Sequence, residues 1–161
     1  MTGLIKPVIG LSDEALSEIT SLLNKRLADT FVLYTKTRNY HWNVTGMHFM
    51  QLHTLFESQY DTLEESMDEI AERVRQLGGV AFGTLEEFKG ATALRETPGE
   101  RPAAAAMVAN LLADHELVIR QLRADIETAD RLGDMGTNDF LTGLLEGHEK
   151  TAWFLRAHLE S

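Results

Sequence analysis

Apolar residues recur every three or four positions along four long stretches of this chain, and no stretch alternates as a half-buried strand would. In the first stretch Leu16, Ile19, Leu23, Leu27, Phe31 and Tyr34 share a face behind Ser12, a capping residue followed by Asp13 and Glu14. This predicts a helix over residues 12–40. After the short connection HWNVTG, the positions Phe49, Leu52, Phe56, Tyr60, Leu63, Met67, Ile70, Val74 and Leu77 keep the same spacing. They predict a second helix over 47–77, stopped by Gly78-Gly79. Pro102 fits the first turn of a third helix over 102–130. RLGDMGTN interrupts the pattern before a fourth helix over 138–160. Between Gly78 and Arg101 only TLEEFKG reads as structured, a short helix over 84–89 with Thr84 and Glu87 in capping-box spacing.

The connections are short, long and short. A link of roughly 24 residues spans a helix of ~45 Å, which lets the second and third helices run parallel. One long crossover in a four-helix bundle is the ferritin-like arrangement, whereas cytokine-type bundles need two. The expected fold is all-α: a ferritin-like four-helix bundle, with one long crossover carrying a short helix, as a single domain over residues 1–161.

Composition narrows the chemistry. There is no cysteine among the 161 residues, so disulfides, thiolate metal sites and thiol catalysis are excluded. No apolar run approaches the ~18–20 residues of a membrane span, and MTGLIKPVIG lacks the pattern of an export signal. A cytoplasmic location is expected. Net charge is −10, distributed as +1, −6 and −5 over residues 1–40, 41–90 and 91–161. An acidic surface attracts cations and repels phosphate backbones.

The second helix carries the candidate chemistry. His53 and Glu57 stand one turn apart, the only H-x-x-x-[DE] in the chain, and project side by side as a ligand pair for a divalent metal. Asp68 and Glu72 form a second pair, on the same side of the wheel beside the apolar stripe. The pairs are about 16 Å apart along the axis, far beyond metal–ligand bonds of ~2 Å. The midpoint of 53 and 72 is also that of 57 and 68, between Thr62 and Leu63. Two copies of this helix packed antiparallel about a two-fold there would join each pair to its complement, twice per dimer. His41, at the end of the first helix, is a candidate further ligand. Carboxylates with one or two imidazoles suit iron or manganese over zinc. No Glu-x-x-His occurs, so an ordinary di-iron centre inside the bundle is not expected.

The stretch HWNVTGMHFMQLHTLFESQYDTLEESMDEIAERVRQLGG resembles the signature region of the Dps family, the dodecameric mini-ferritins, through H-W-N, Gly46, Phe49, His53 and MDEIAERVRQLGG. The resemblance implies a ferroxidase site between two-fold-related subunits, with His41, His53 and Glu57 from one chain and Asp68 and Glu72 from the other. Family members often have Asp where this chain has Glu57. It further implies oxidation of Fe(II), preferentially by hydrogen peroxide, with storage of Fe(III) as a mineral core in a hollow homo-oligomeric shell. Asp125, Asp130 and Asp134 look like the family's acidic residues lining iron-entry pores. The alternative function is a nucleoid-associated protein that compacts DNA. The net charge and the single lysine (Lys6) ahead of the first helix argue against it.

Overall fold

The structure, a computed structural model, describes residues 5–160. Met1–Leu4, part of the stretch weighed above for an export signal, and Ser161 lie outside the described residues. Among the described residues all regular structure is helical: α1 (Asp13–Asn43), α2 (Phe49–Gln76), α3 (Leu85–Ala91), α4 (Ala104–Arg131) and α5 (Met135–Ala157). Short turns fold α1 against α2 and α4 against α5, and α1 packs on α4 to join the two hairpins. The crossover brings α3 onto α1, where Phe88 stacks on Phe31 at 4.2 Å between ring centroids. No described helix is long and apolar enough to cross a membrane.

The helix ends follow from local chemistry. Ser12 accepts a hydrogen bond from the Ala15 amide at 3.1 Å, and α1 runs three residues past Tyr40, which puts His41 inside its last turn. Gly78, at φ +81°, ends α2 in a Schellman turn: its amide donates to Arg75 and that of Gly79 to Val74, both at 3.0 Å. Gly79 has no room for a side chain, because a Cβ would stand 2.8 Å from Thr20 and 2.9 Å from Val74. Thr84 and Glu87 form the expected capping box at α3. Pro102 precedes the N-cap of α4 instead of occupying its first turn.

The fourth long helix starts earlier than its sequence suggests, at Met135. Asp134 explains the difference. Its amide donates to Ala129 at 3.0 Å, completing the Schellman turn that ends α4 at Gly133, and its Oδ1 accepts from the Thr137 amide at 3.0 Å. One residue closes one helix and opens the next.

Ile19, Leu23, Leu33, Phe56, Ile70, Leu111, Leu122, Leu141 and Leu155 fill the bundle interior. Polar side chains on α1 fasten the crossover over it. Buried Asn24 donates to Val80 O at 3.0 Å and accepts from the Phe82 amide at 2.9 Å. Asp29 accepts from the Ala93 amide at 2.7 Å and from Thr92 at 2.8 Å. These contacts satisfy loop backbone that would otherwise lack partners. Arg26 sits between two carboxylates, with Nη1 3.0 Å from Asp29 Oδ2 and Nε 3.0 Å from Asp125 Oδ2. Both contacts lie off the line of a hydrogen bond, so attraction between the charges carries them.

His115 of α4 and His148 of α5 meet in the interior with their Nδ1 atoms 2.9 Å apart. Burial, and then the neighbouring His148, holds His115 well below the ordinary imidazole value, and burial holds His148 at about 4. An unfolded chain takes up a proton near pH 6.5 that folded His148 refuses until about 4. The stability is therefore full above pH 6.5 and drains as the pH falls through 4, by roughly 3 kcal/mol for His148 alone. His115→Leu/His148→Leu is expected to flatten this limb when urea denaturation is followed against pH. A limb as steep as wild type would contradict the assignment.

Candidate metal centre

The α1–α2 hairpin stacks His41 on His53, with ring centroids 3.7 Å apart and planes inclined by 19°. His41 Nδ1 lies 2.8 Å from the backbone carbonyl of His53, and His53 Nδ1 lies 2.9 Å from that of His41. A carbonyl only accepts, so both Nδ1 atoms carry hydrogen and both lone pairs sit on Nε2. Histidines that bind metals are usually anchored in this way through the other ring nitrogen. The same contact settles a helix end, because His41 O belongs to the last turn of α1 and has no partner within that helix.

Aromatic residues hold the pair in place. Phe49 stacks against His53 at 5.0 Å, and Tyr60 meets His41 edge-on at 5.2 Å. The Arg38 guanidinium lies 4.9 Å from the Tyr60 ring centroid and 5.6 Å from that of Trp42. Burial, followed by the negative charges of Glu57 and Asp61, raises the Tyr60 phenol above its usual range, which keeps it protonated. The sequence reading did not single out Tyr60, Arg38 or Phe49 for this site. The one signal available was Arg38 standing one turn before His41.

His41 is buried and His53 half-buried, while Glu57, one turn on, is exposed. Asp68 and Glu72 are exposed three and four turns further along α2. No group of three or more histidine, aspartate or glutamate side chains comes together to hold a metal among the described residues. The five residues therefore stand within one chain as two separate sets. One is the anchored imidazole pair with Glu57 a helical turn further along α2, and the other is Asp68 and Glu72.

Two of the acidic trio expected at a pore make contacts within the chain. Asp125 faces Arg26, and Asp134 is buried as the α5 cap with Arg73 Nη2 3.1 Å from its Oδ1. Asp130 alone of the three is exposed.

Comparison with known proteins decides the family. The profile described as a ferritin-like domain matches residues 20–161. DNA protection during starvation protein 2 of Bacillus anthracis is 38% identical over 143 residues, covering 88% of this chain and 97% of that protein. The chain belongs to the Dps family. Another relative, an uncharacterized low temperature-induced protein of Nostoc, is 49% identical over 153 residues, or 94% of this chain and 86% of that one. DpsC from Streptomyces coelicolor superimposes on this Dps-family chain with a TM-score of 0.94 at 34% identity, over 98% of this chain and 91% of its own. A Dps protein from Vibrio cholerae O1, described as a member of a broad superfamily of ferritin-like diiron-carboxylate proteins, gives 0.91 at 29% identity over 99% and 100%.

Proposed function

We propose that this Dps-family chain is a ferroxidase of the mini-ferritin type. It oxidises Fe(II), preferentially with hydrogen peroxide, and stores Fe(III) as a mineral core inside a hollow shell, a dodecamer built from two-fold dimers. The reciprocal His41–His53 contact carries the reading, because it leaves the Nε2 lone pair of each ring available while Glu57 follows His53 by one turn of α2, too few donors to finish a site within one chain. Asp68 and Glu72 of the partner subunit supply the missing carboxylates when two α2 helices pack antiparallel. Imidazole nitrogens accept Fe(II) as substrate, and carboxylates favour the Fe(III) product.

The electron balance explains the protective value. Two Fe(II) ions each give one electron to one peroxide, whose O–O bond breaks, and two protons complete two waters. No hydroxyl radical leaves the site. Asp130, exposed near the end of α4, is the member of the acidic trio left to guide iron inward. A cytoplasmic location fits this role.

Oxidation titrations under nitrogen test the reading: two Fe(II) are expected to be consumed per peroxide, with no radical captured by a spin trap. A ratio of one with strong radical signals would contradict it. The DNA-compacting alternative draws its support from the names of relatives such as that of B. anthracis. A net charge of −10 opposes it, since phosphate neutralisation needs lysine and arginine in excess.

A further inference from the structure

Away from the α1–α2 hairpin, a cleft of about 410 Å³ opens between α2 and α5, which scarcely touch there. Gly143 and Gly147 of α5 line it one turn apart. Glycine is costly inside a helix, since it loses the most backbone freedom and packs nothing. Nothing within the chain requires either one: neither has a positive φ, and a Cβ at either would meet nothing within 4 Å. Together they keep the cleft open and bare a strip of helix backbone as one wall. Leu63, Phe140 and Leu144 add apolar surface.

Two buried polar groups line the same cleft without partners. Gln59 is 6% exposed, and neither atom of its amide has a hydrogen-bond partner within the protein. His115 is 2% exposed, and its Nε2 has none either. Such groups are expensive to leave unmet and call for a partner from solvent. Water meets polar groups but must also coat the apolar walls, whereas a flat molecule covers both at once. The amide presents a donor beside an acceptor, the pairing that glutamine makes with the N6 and N7 edge of adenine. His115 Nε2 suits either polarity: it accepts when the hydrogen of the His115–His148 contact sits on His115 Nδ1, and donates when that hydrogen sits on His148 Nδ1. Charge narrows the choice. Glu65, Glu69 and Asp139 stand exposed at the cleft, and no lysine or arginine is among the described residues that line it. Burial keeps His115 uncharged, so nothing there offsets a phosphate or a carboxylate.

We propose that the α2–α5 cleft is a binding site for a flat, uncharged heterocycle with a hydrogen-bond donor beside an acceptor on one edge, the class of a free purine base. The Gln59 amide takes that edge, and His115 Nε2 takes a ring nitrogen or its hydrogen. The ring lies against Phe140 and the bare backbone at Gly143 and Gly147. The site lies within a single chain, goes beyond the ferroxidase reading and does not depend on it.

Equilibrium dialysis of the assembled protein against adenine gives the direct test, with saturable uptake of one adenine per chain expected. Purine, which lacks the exocyclic amine, should bind about tenfold more weakly. Adenosine 5′-monophosphate should also bind about tenfold more weakly, because its phosphate meets the acidic residues at the cleft. Gly147→Leu fills the cleft at a position open to a side chain and should abolish uptake. Gln59→Leu should weaken adenine about tenfold without lowering the urea midpoint, since the amide it removes has no partner within the protein. Absence of saturable adenine uptake, which leaves the cleft to water or to a neighbouring subunit, would overturn the proposal. So would purine or the monophosphate binding as tightly as adenine, or uptake by Gly147→Leu equal to wild type. A lowered urea midpoint for Gln59→Leu would show that the amide already has a partner in the assembly, and would count against the site.

Discussion

His53→Ala is expected to slow peroxide-driven Fe(II) oxidation by about 100-fold, some 2.7 kcal/mol of barrier. The effect is large because one ring has two jobs. In the proposed site its Nε2 is a donor to the incoming ion, and its Nδ1 bond to the His41 carbonyl is half of the exchange that orients His41. Removing the ring deletes one ligand and loosens the other. His53→Gln separates these jobs, since its amide N–H can still reach the His41 carbonyl while the imidazole lone pair is gone. The glutamine variant should denature like wild type in urea yet remain as slow as the alanine variant in stopped-flow oxidation. Recovery of the wild-type rate by glutamine would show that the ring only braces the hairpin.

The largest stability effect is expected at Arg26. Arg26→Met leaves Asp29, 1% exposed, without its arginine partner and half-buried Asp125 with only Lys25 as a neighbouring positive charge, and should cost about 3–5 kcal/mol. Burial already raises the Asp125 carboxyl despite the arginine, so its charged form is disfavoured where it stands. Adding Asp125→Leu should return part of the loss by removing one stranded charge. Asp29 cannot be discarded so simply, because it also accepts the Ala93 amide of the crossover. Urea denaturation of single and double variants reads both effects. A loss below about 1 kcal/mol for Arg26→Met, the scale of an exposed ion pair, would contradict this account.

Much of the fold was legible because each long helix carries its own apolar period. The end of α2 was legible for a local reason, as Gly78 supplies the positive φ that a Schellman turn requires. The start of α5 was misplaced because two glycines in GDMGTN read as a continuing turn. Only the structure shows that Gly136 already lies within the first turn and that Asp134 serves both helices. The proposed donor residues come from one helical repeat, His53 to Glu57, and from the midpoint it shares with Asp68 and Glu72. The lock between His41 and His53 was not, because it joins side chain to backbone across a turn. His115 and His148 were invisible as a pair, being 33 residues apart on different helices. The contacts of Asp125 with Arg26 and of Asp134 with Arg73 were hidden as well, because proximity in sequence says nothing about which carboxylates are paired across the bundle.

Joining half-sites across a two-fold is the claim on which the function rests, and co-assembly tests it most directly. Chains carrying His53→Ala are mixed while unfolded with equal amounts of chains carrying Asp68→Ala/Glu72→Ala, then refolded together. Each variant alone is expected to be nearly inactive. A mixed dimer pairs the intact His53 set of one chain with the intact Asp68 set of the other, so random mixing should restore about a quarter of the wild-type sites. Rates that stay at the level of the separate variants, although mass analysis finds mixed shells, would contradict the account.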